Sequence, residues 1–110
     1  MTMFFDEYQA ETQKTAGEFD SATESLVSYA LGIAGEAGEF ANLVKKGVYH
    51  GHGLAVEKLV EEAGDILWYL ARAMAVLNVS LDQVAEKNLA KLQRRYPDGF
   101  SYEASRNRKE

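Results

Sequence analysis

A chain of 110 residues is one domain's worth, and a domain of about that size buries roughly two-thirds of its unfolded surface, enough for a core. With 46% hydrophobic and 26% charged residues and one proline, the composition excludes a disordered chain, and the lack of cysteine excludes disulfides and thiolate metal sites. The net charge of −5 repels a nucleic-acid backbone, no apolar run approaches the roughly 20 residues of a membrane span, and Met1–Glu7 lacks the basic start of a signal peptide. The expectation is a cytoplasmic protein that binds neither a nucleic-acid polymer nor a membrane.

The first helix is expected over about 2–15, with Phe4, Phe5, Tyr8 and Thr12 at helical spacing and Gly17 beyond its end. The second opens at Ser21, where Glu24 three residues on forms a capping-box pattern, and is expected to run to about Lys46 and stop at Gly47. Three glycines in the seven residues 47–53 read as a loop, in which His50 and His52 line an entrance. A third helix is expected from about Ala55 to Leu77. A fourth opens at the Ser80/Gln83 capping box and is ended by Pro97, at or before Tyr96. The tail, 98–110, is polar and expected to fray, with Phe100 and Tyr102 able to fold back onto the body. No segment alternates with period two between hairpin turns, so the class is all-α, a small antiparallel four-helix bundle. One domain is expected over 1–110, with a core at about 21–100, the first helix at about 2–15 and a flexible tail at about 101–110.

Two acidic tetrapeptides stand 26 positions apart, Glu36-Ala37-Gly38-Glu39 and Glu62-Ala63-Gly64-Asp65. Residues three apart share a side of a helix, so each tetrapeptide presents its acids as a pair. At about 100° per residue, Leu59, Ala63, Ile66, Leu70, Met74 and Leu77 form an apolar arc with Glu62 and Asp65 on its shoulder. Glu61 falls on the opposite side. In the second helix Leu26, Ile33, Ala37, Phe40 and Val44 form the arc, and Glu36 and Glu39 take the same shoulder. Packed antiparallel, the two helices would make one four-acid pocket about an approximate twofold axis, with small residues letting the backbones approach. Carboxylates within about 5 Å repel by roughly 3 kcal/mol per pair at an effective dielectric near 20, so a cation or protons must neutralise them. Hard oxygen donors favour magnesium, manganese or calcium. A di-iron bundle is disfavoured because neither acidic helix carries the E-x-x-H motif such sites use. A non-catalytic interaction module with an acidic stripe is the alternative. Lys58, one turn before Glu62, can pair with it.

Together, the E-x-x-E helix, the glycine-containing loop and the E-x-x-D helix with a second glutamate before its motif resemble the MazG-type nucleoside triphosphate pyrophosphohydrolases, the all-α NTP pyrophosphatases, over about Ser21 to Phe100. The resemblance implies that Glu36, Glu39, Glu62 and Asp65 bind magnesium, with manganese as a possible substitute, and serve the hydrolysis of a nucleoside triphosphate to monophosphate and pyrophosphate. One of them acts as general base; which one is open. The resemblance also implies a homodimer or a dimer of dimers, and nucleotide-pool housekeeping. In the fourth helix Asn88 falls within the apolar arc of Leu81, Val84, Ala85 and Leu92, where its amide needs a partner, and Lys91 and Arg95 flank that side. The run Asn88–Arg95 resembles the family's phosphate-contacting segment. Tyr69, four residues after Asp65, is placed to stack on a base or bond a sugar, whereas Trp68 projects to the opposite face as an oligomer contact.

Overall fold

A computed structural model describes residues 2–108 and contains five α-helices and no named strand among them. Helix α1 spans Phe5–Thr12 and continues as a 3-10 turn over Gln13–Thr15; α2 spans Ala22–Tyr49, α3 Val56–Val76, α4 Leu81–Arg95 and α5 Tyr102–Arg106. At the start of α2 the Ser21 hydroxyl accepts from the Glu24 N–H at 3.1 Å, but the reciprocal bond from the Ser21 N–H to the Glu24 carboxylate is not made. Both halves of the box are present at α4, where Ser80 accepts from Gln83 N–H and Gln83 accepts from Ser80 N–H, each at 3.1 Å.

The α2–α3 pair is the frame of the molecule. It is antiparallel. As α2 advances through Ser25, Tyr29, Glu36 and Leu43, its neighbours on α3 retreat through Arg72, Tyr69, Glu62 and Lys58. Of the α2 glycines, Gly32 has α3 close against it and Gly47 has the following loop, whereas the tetrapeptide glycines have neither. A Cβ on Gly32 would clash with the Cδ1–Cε1 edge of the Tyr69 ring, and one on Gly47 would lie 2.8 Å from the Gly53 carbonyl oxygen. A Cβ on Gly38 or Gly64 would meet nothing within 4 Å, so these two glycines leave open space beside the acids. Gly47 therefore marks the place where the following loop folds back against α2 instead of the expected helix end, and α2 continues to Tyr49.

Helix α1 bridges the rest, packing against both α3 and α4. Its Gln9 amide donates to the carbonyls of Ala71 (3.1 Å) and Val79 (3.0 Å), while Gln9 Oε1 accepts from Leu81 N–H at 3.0 Å. All three bonds fasten the corner between α3 and α4. At that corner Asn78 takes a left-handed conformation (φ 58°), and Val79 N–H reaches back to the Met74 carbonyl at 2.9 Å, the Schellman closure that frees the chain to reverse. The tail is ordered further than expected, because Ser101 caps α5 through Ala104 N–H at 3.0 Å. Phe100 packs on Tyr96, at the end of α4, with ring centroids 5.4 Å apart, and on Tyr102 at 5.3 Å. Both Phe100 and Tyr102 stay exposed, so neither returns to the body. The end of the expected tail, Lys109 and Glu110, lies outside the described residues, as does Met1.

Little is deeply buried. Among the described residues no large side chain is fully enclosed, and the radius of gyration is 17.1 Å, against roughly 13 Å for a compact chain of about 100 residues.

Candidate metal and nucleotide site

The paired helices bring carboxylate oxygens of Glu36, Glu62 and Asp65 to within 4.8 Å of one another. Glu36 and Glu62 are half-buried; Asp65 is exposed. Glu36 Oε2 and Glu62 Oε2 are shut off from solvent and have no hydrogen-bond partner. A carboxylate oxygen that is both desolvated and unpaired is costly, and a cation is the partner whose charge and coordination would satisfy two of them at once. The donor set, oxygen only, fits a hard divalent ion. Glu39 is exposed and outside this trio; with Asn42, Leu43, Lys58 and Glu62 it borders a hollow of about 270 Å³ alongside. Lys58 shares that hollow without forming the expected ion pair with Glu62. Glu61 points to solvent, away from the trio.

Glu62 feels this crowding most. Its carboxyl is held above its ordinary value, first by the close approach of the Glu36 carboxylate, then by desolvation and the charges of Glu36 and Asp65; the neighbouring Glu39 carboxylate acts in the other direction. An acid whose pKa is raised by folding contributes stability that is complete below the ordinary glutamate range and is lost as pH rises through the raised value. Asp82, pushed up by desolvation and then by Asp6, contributes with the same sign. With divalent ions chelated, the melting temperature should therefore fall as pH rises through that window, and Glu62→Gln should remove part of the slope while leaving the share of Asp82. An identical slope in wild type and variant would show that Glu62 is not strained by its neighbours.

Tyr69 sits at the far side of the Gly32 crossing, half-buried, its ring 6.4 Å from that of Tyr29 and 5.2 Å from that of Trp68. Trp68 is half-buried and engaged within the chain. Its indole N–H donates to the Thr15 hydroxyl at 2.8 Å and its ring meets Tyr29 edge-on at 5.8 Å, because the 3-10 turn after α1 covers that side of α3. Asn88 is exposed, contrary to the buried position expected, since α4 packs principally on α1 and leaves its mid-helix arc uncovered. Lys91 and Arg95 are half-buried on the same helix. The imidazoles of His50 and His52 face each other at 6.4 Å on the exposed loop.

One neighbour of the acids was not legible in the sequence. Tyr8 of α1 lies close enough to Asp65 for that charge to add to desolvation in raising its phenol pKa. The helical spacing of Phe4, Phe5, Tyr8 and Thr12 marks a packing face, and nothing in it says which helix that face will meet.

An all-helical chain that gathers acids from two antiparallel helices into an oxygen-only cluster is of the kind that grips phosphates through a divalent ion. The chain belongs to the MazG nucleotide pyrophosphohydrolase domain family, whose model matches residues 24–100, and whose members depend on divalent metals. It is 37% identical over 115 residues to the Gene 37 protein of Mycobacterium phage L5, an alignment covering 96% of this chain and 100% of that protein. No solved structure matches it. Family membership assigns the chain a nucleotide pyrophosphohydrolase activity at the family level. Among the described residues no helix is long and apolar enough to cross a membrane.

Proposed function

We propose that this protein hydrolyses a nucleoside or deoxynucleoside triphosphate to the monophosphate and pyrophosphate with magnesium, or manganese in its place, and that it clears particular nucleotides from the pool. The observation that carries the reading is the pair of desolvated, unpartnered oxygens on Glu36 and Glu62 beside Asp65. These three acids would hold the ion, with Glu39 alongside. When bound, magnesium neutralises the polyphosphate and makes a coordinated water more acidic.

The chain's own groups carry the remaining work. One of the four carboxylates accepts a proton from the attacking water. The water oxygen bonds to the α-phosphorus as the bond from that phosphorus to the α–β bridging oxygen breaks, and pyrophosphate leaves. On α4, Lys91 and Arg95 bring positive charge to the phosphates, and the exposed Asn88 amide, one turn before Lys91, offers donors to phosphate oxygens. We assign Tyr69, one turn beyond Asp65, to the sugar or base. The acid cluster is open on one side, at Asp65, Gly38 and Gly64, and the chain leaves much apolar surface uncovered; both support a working form of two or four copies.

The test is a panel of ribo- and deoxynucleoside triphosphates with magnesium, read for both products. At least one substrate should give monophosphate and pyrophosphate in equal amounts. Release of orthophosphate, or an inert panel, would contradict the reading and favour a non-catalytic module whose acidic stripe holds a basic partner.

A further inference from the structure

Two turns along the α2–α3 seam from the acids lies a second polar feature. Seven residues before Glu36 on α2 comes Tyr29, and seven after Asp65 on α3 comes Arg72; because the helices are antiparallel, both lie toward the same end. There Gln13, Phe19, Ser25, Tyr29, Arg72 and Val76 border a cavity of about 230 Å³. At roughly 30 Å³ per water molecule, it has room for several waters or one ring-sized group.

Arg72 is the anomaly in it. The residue is only 7% exposed, yet no carboxylate pairs with it. Its Nη1 donates to the Thr12 hydroxyl at 3.1 Å and its Nη2 to Gln13 Oε1 at 2.6 Å, both neutral acceptors on the α1 side. Nε is enclosed and has no partner at all. Of the five N–H groups of a guanidinium, two are satisfied by the protein. A buried cation with unspent donors, bordering a cavity, calls for a ligand rich in acceptors. The walls limit the choice, since the exposed Phe19 ring, backed edge to face at 5.6 Å by the buried ring of Tyr29, offers apolar surface to a flat ring.

We propose that this cavity receives the nucleobase of the triphosphate, and that Arg72 reads a carbonyl-bearing acceptor edge, that of guanine, uracil or thymine, against the amino-bearing edges of adenine and cytosine. The proposal rests on the reading of the acids as the phosphate site. Seven helical residues rise about 10.5 Å, which matches the reach from an α-phosphate across a sugar to the far edge of a base. Arginine donates readily to paired acceptors such as guanine O6 and N7, whereas an exocyclic amine would set donor against donor. Burial sharpens the contrast, because a mismatched edge leaves the guanidinium unpaired out of water's reach.

The panel tests this in wild type and two variants. Wild type should favour a carbonyl-edge base over cytosine and adenine in kcat/KM, by about 5- to 150-fold for guanine, the range of one bidentate pair, and by less for uracil or thymine, whose O4 is a single acceptor on that edge. Arg72→Met should raise KM for the favoured base with kcat little changed, and compress the preference to about threefold or less. Should Arg72→Met fail to fold, Gln13→Glu keeps the test open. It gives Nη2 an internal carboxylate, and that competition should weaken the favoured base selectively. Calorimetry with the monophosphate products should repeat the ranking without turnover. A best substrate bearing cytosine or adenine, or a preference that neither variant moves, would overturn the assignment of Arg72 while leaving the phosphate site intact; an inert panel would instead overturn the phosphate site.

Discussion

Glu62→Gln should abolish magnesium-dependent release of pyrophosphate, with a loss of kcat/KM of at least about a thousandfold, while its neighbour Glu61→Gln remains within about twofold of wild type. The two substitutions are chemically identical and adjacent, so any difference between them is one of position. Glu62 carries a desolvated oxygen with no partner, lies within 4.8 Å of carboxylate oxygens of Glu36 and Asp65, and has its proton affinity raised by both. Glu61 is exposed and has no part in that cluster. A glutamine at position 62 keeps the shape but turns one oxygen donor into an NH₂ that cannot ligate a cation, so calorimetry should show weakened magnesium binding as well as lost turnover. In the absence of magnesium the same variant should melt higher than wild type at neutral pH, because like-charge crowding is relieved. Equal activity in the two variants would remove Glu62 from the site.

What could be read from the chain, and what could not, divides by the range of the interaction. The two tetrapeptides and the separation of Glu62 from Glu61 follow from helical phase, which is fixed by the backbone within a single helix. Ser80 with Gln83 was equally legible, since a cap is satisfied by atoms three residues apart. Gly47 was misread because a glycine that ends a helix and one that admits a neighbouring backbone look the same in sequence; only the Gly53 carbonyl at 2.8 Å from its missing Cβ distinguishes them. The same holds for Gly38 and Gly64, expected to bring backbones together and found beside open space. Asn88 and Trp68 differ from their helical phase in complementary ways. An apolar arc shows which side of a helix can be covered but not whether anything covers it: α4 leaves Asn88 bare, while the turn at Thr15 bonds Trp68 and leaves it half-buried. Arg72 owes its setting to α1 and Tyr8 owes its setting to α3, and a packing partner some 60 residues distant in sequence leaves no local mark.

Leu31→Asp should convert an assembly of at least two copies into a chain of 12.2 kDa by light scattering, and should lower the melting temperature by several degrees. Leu31 is 68% exposed and Val27 54%, and helical phase sets them about 140–180° round α2 from Glu36, on the side facing away from the acids. Val56 and Val60 stand 64% and 65% exposed on the corresponding side of α3. Apolar surface left on both outer flanks, in a chain more extended than its length requires, is the condition in which association buries what folding alone did not. In a true monomer an exposed leucine can be exchanged for aspartate at a cost within about 0.5 kcal/mol, whereas a carboxylate placed in a dry interface costs several times that. Gln93→Asp, a change at an exposed position on α4, supplies the control for added charge. Assembly also implies that the wild-type melting temperature rises with protein concentration and that this dependence disappears in Leu31→Asp. A wild type that stays monomeric across the concentration range, with an unaltered melt in the variant, would mean that these flanks serve some other purpose than joining copies of the chain.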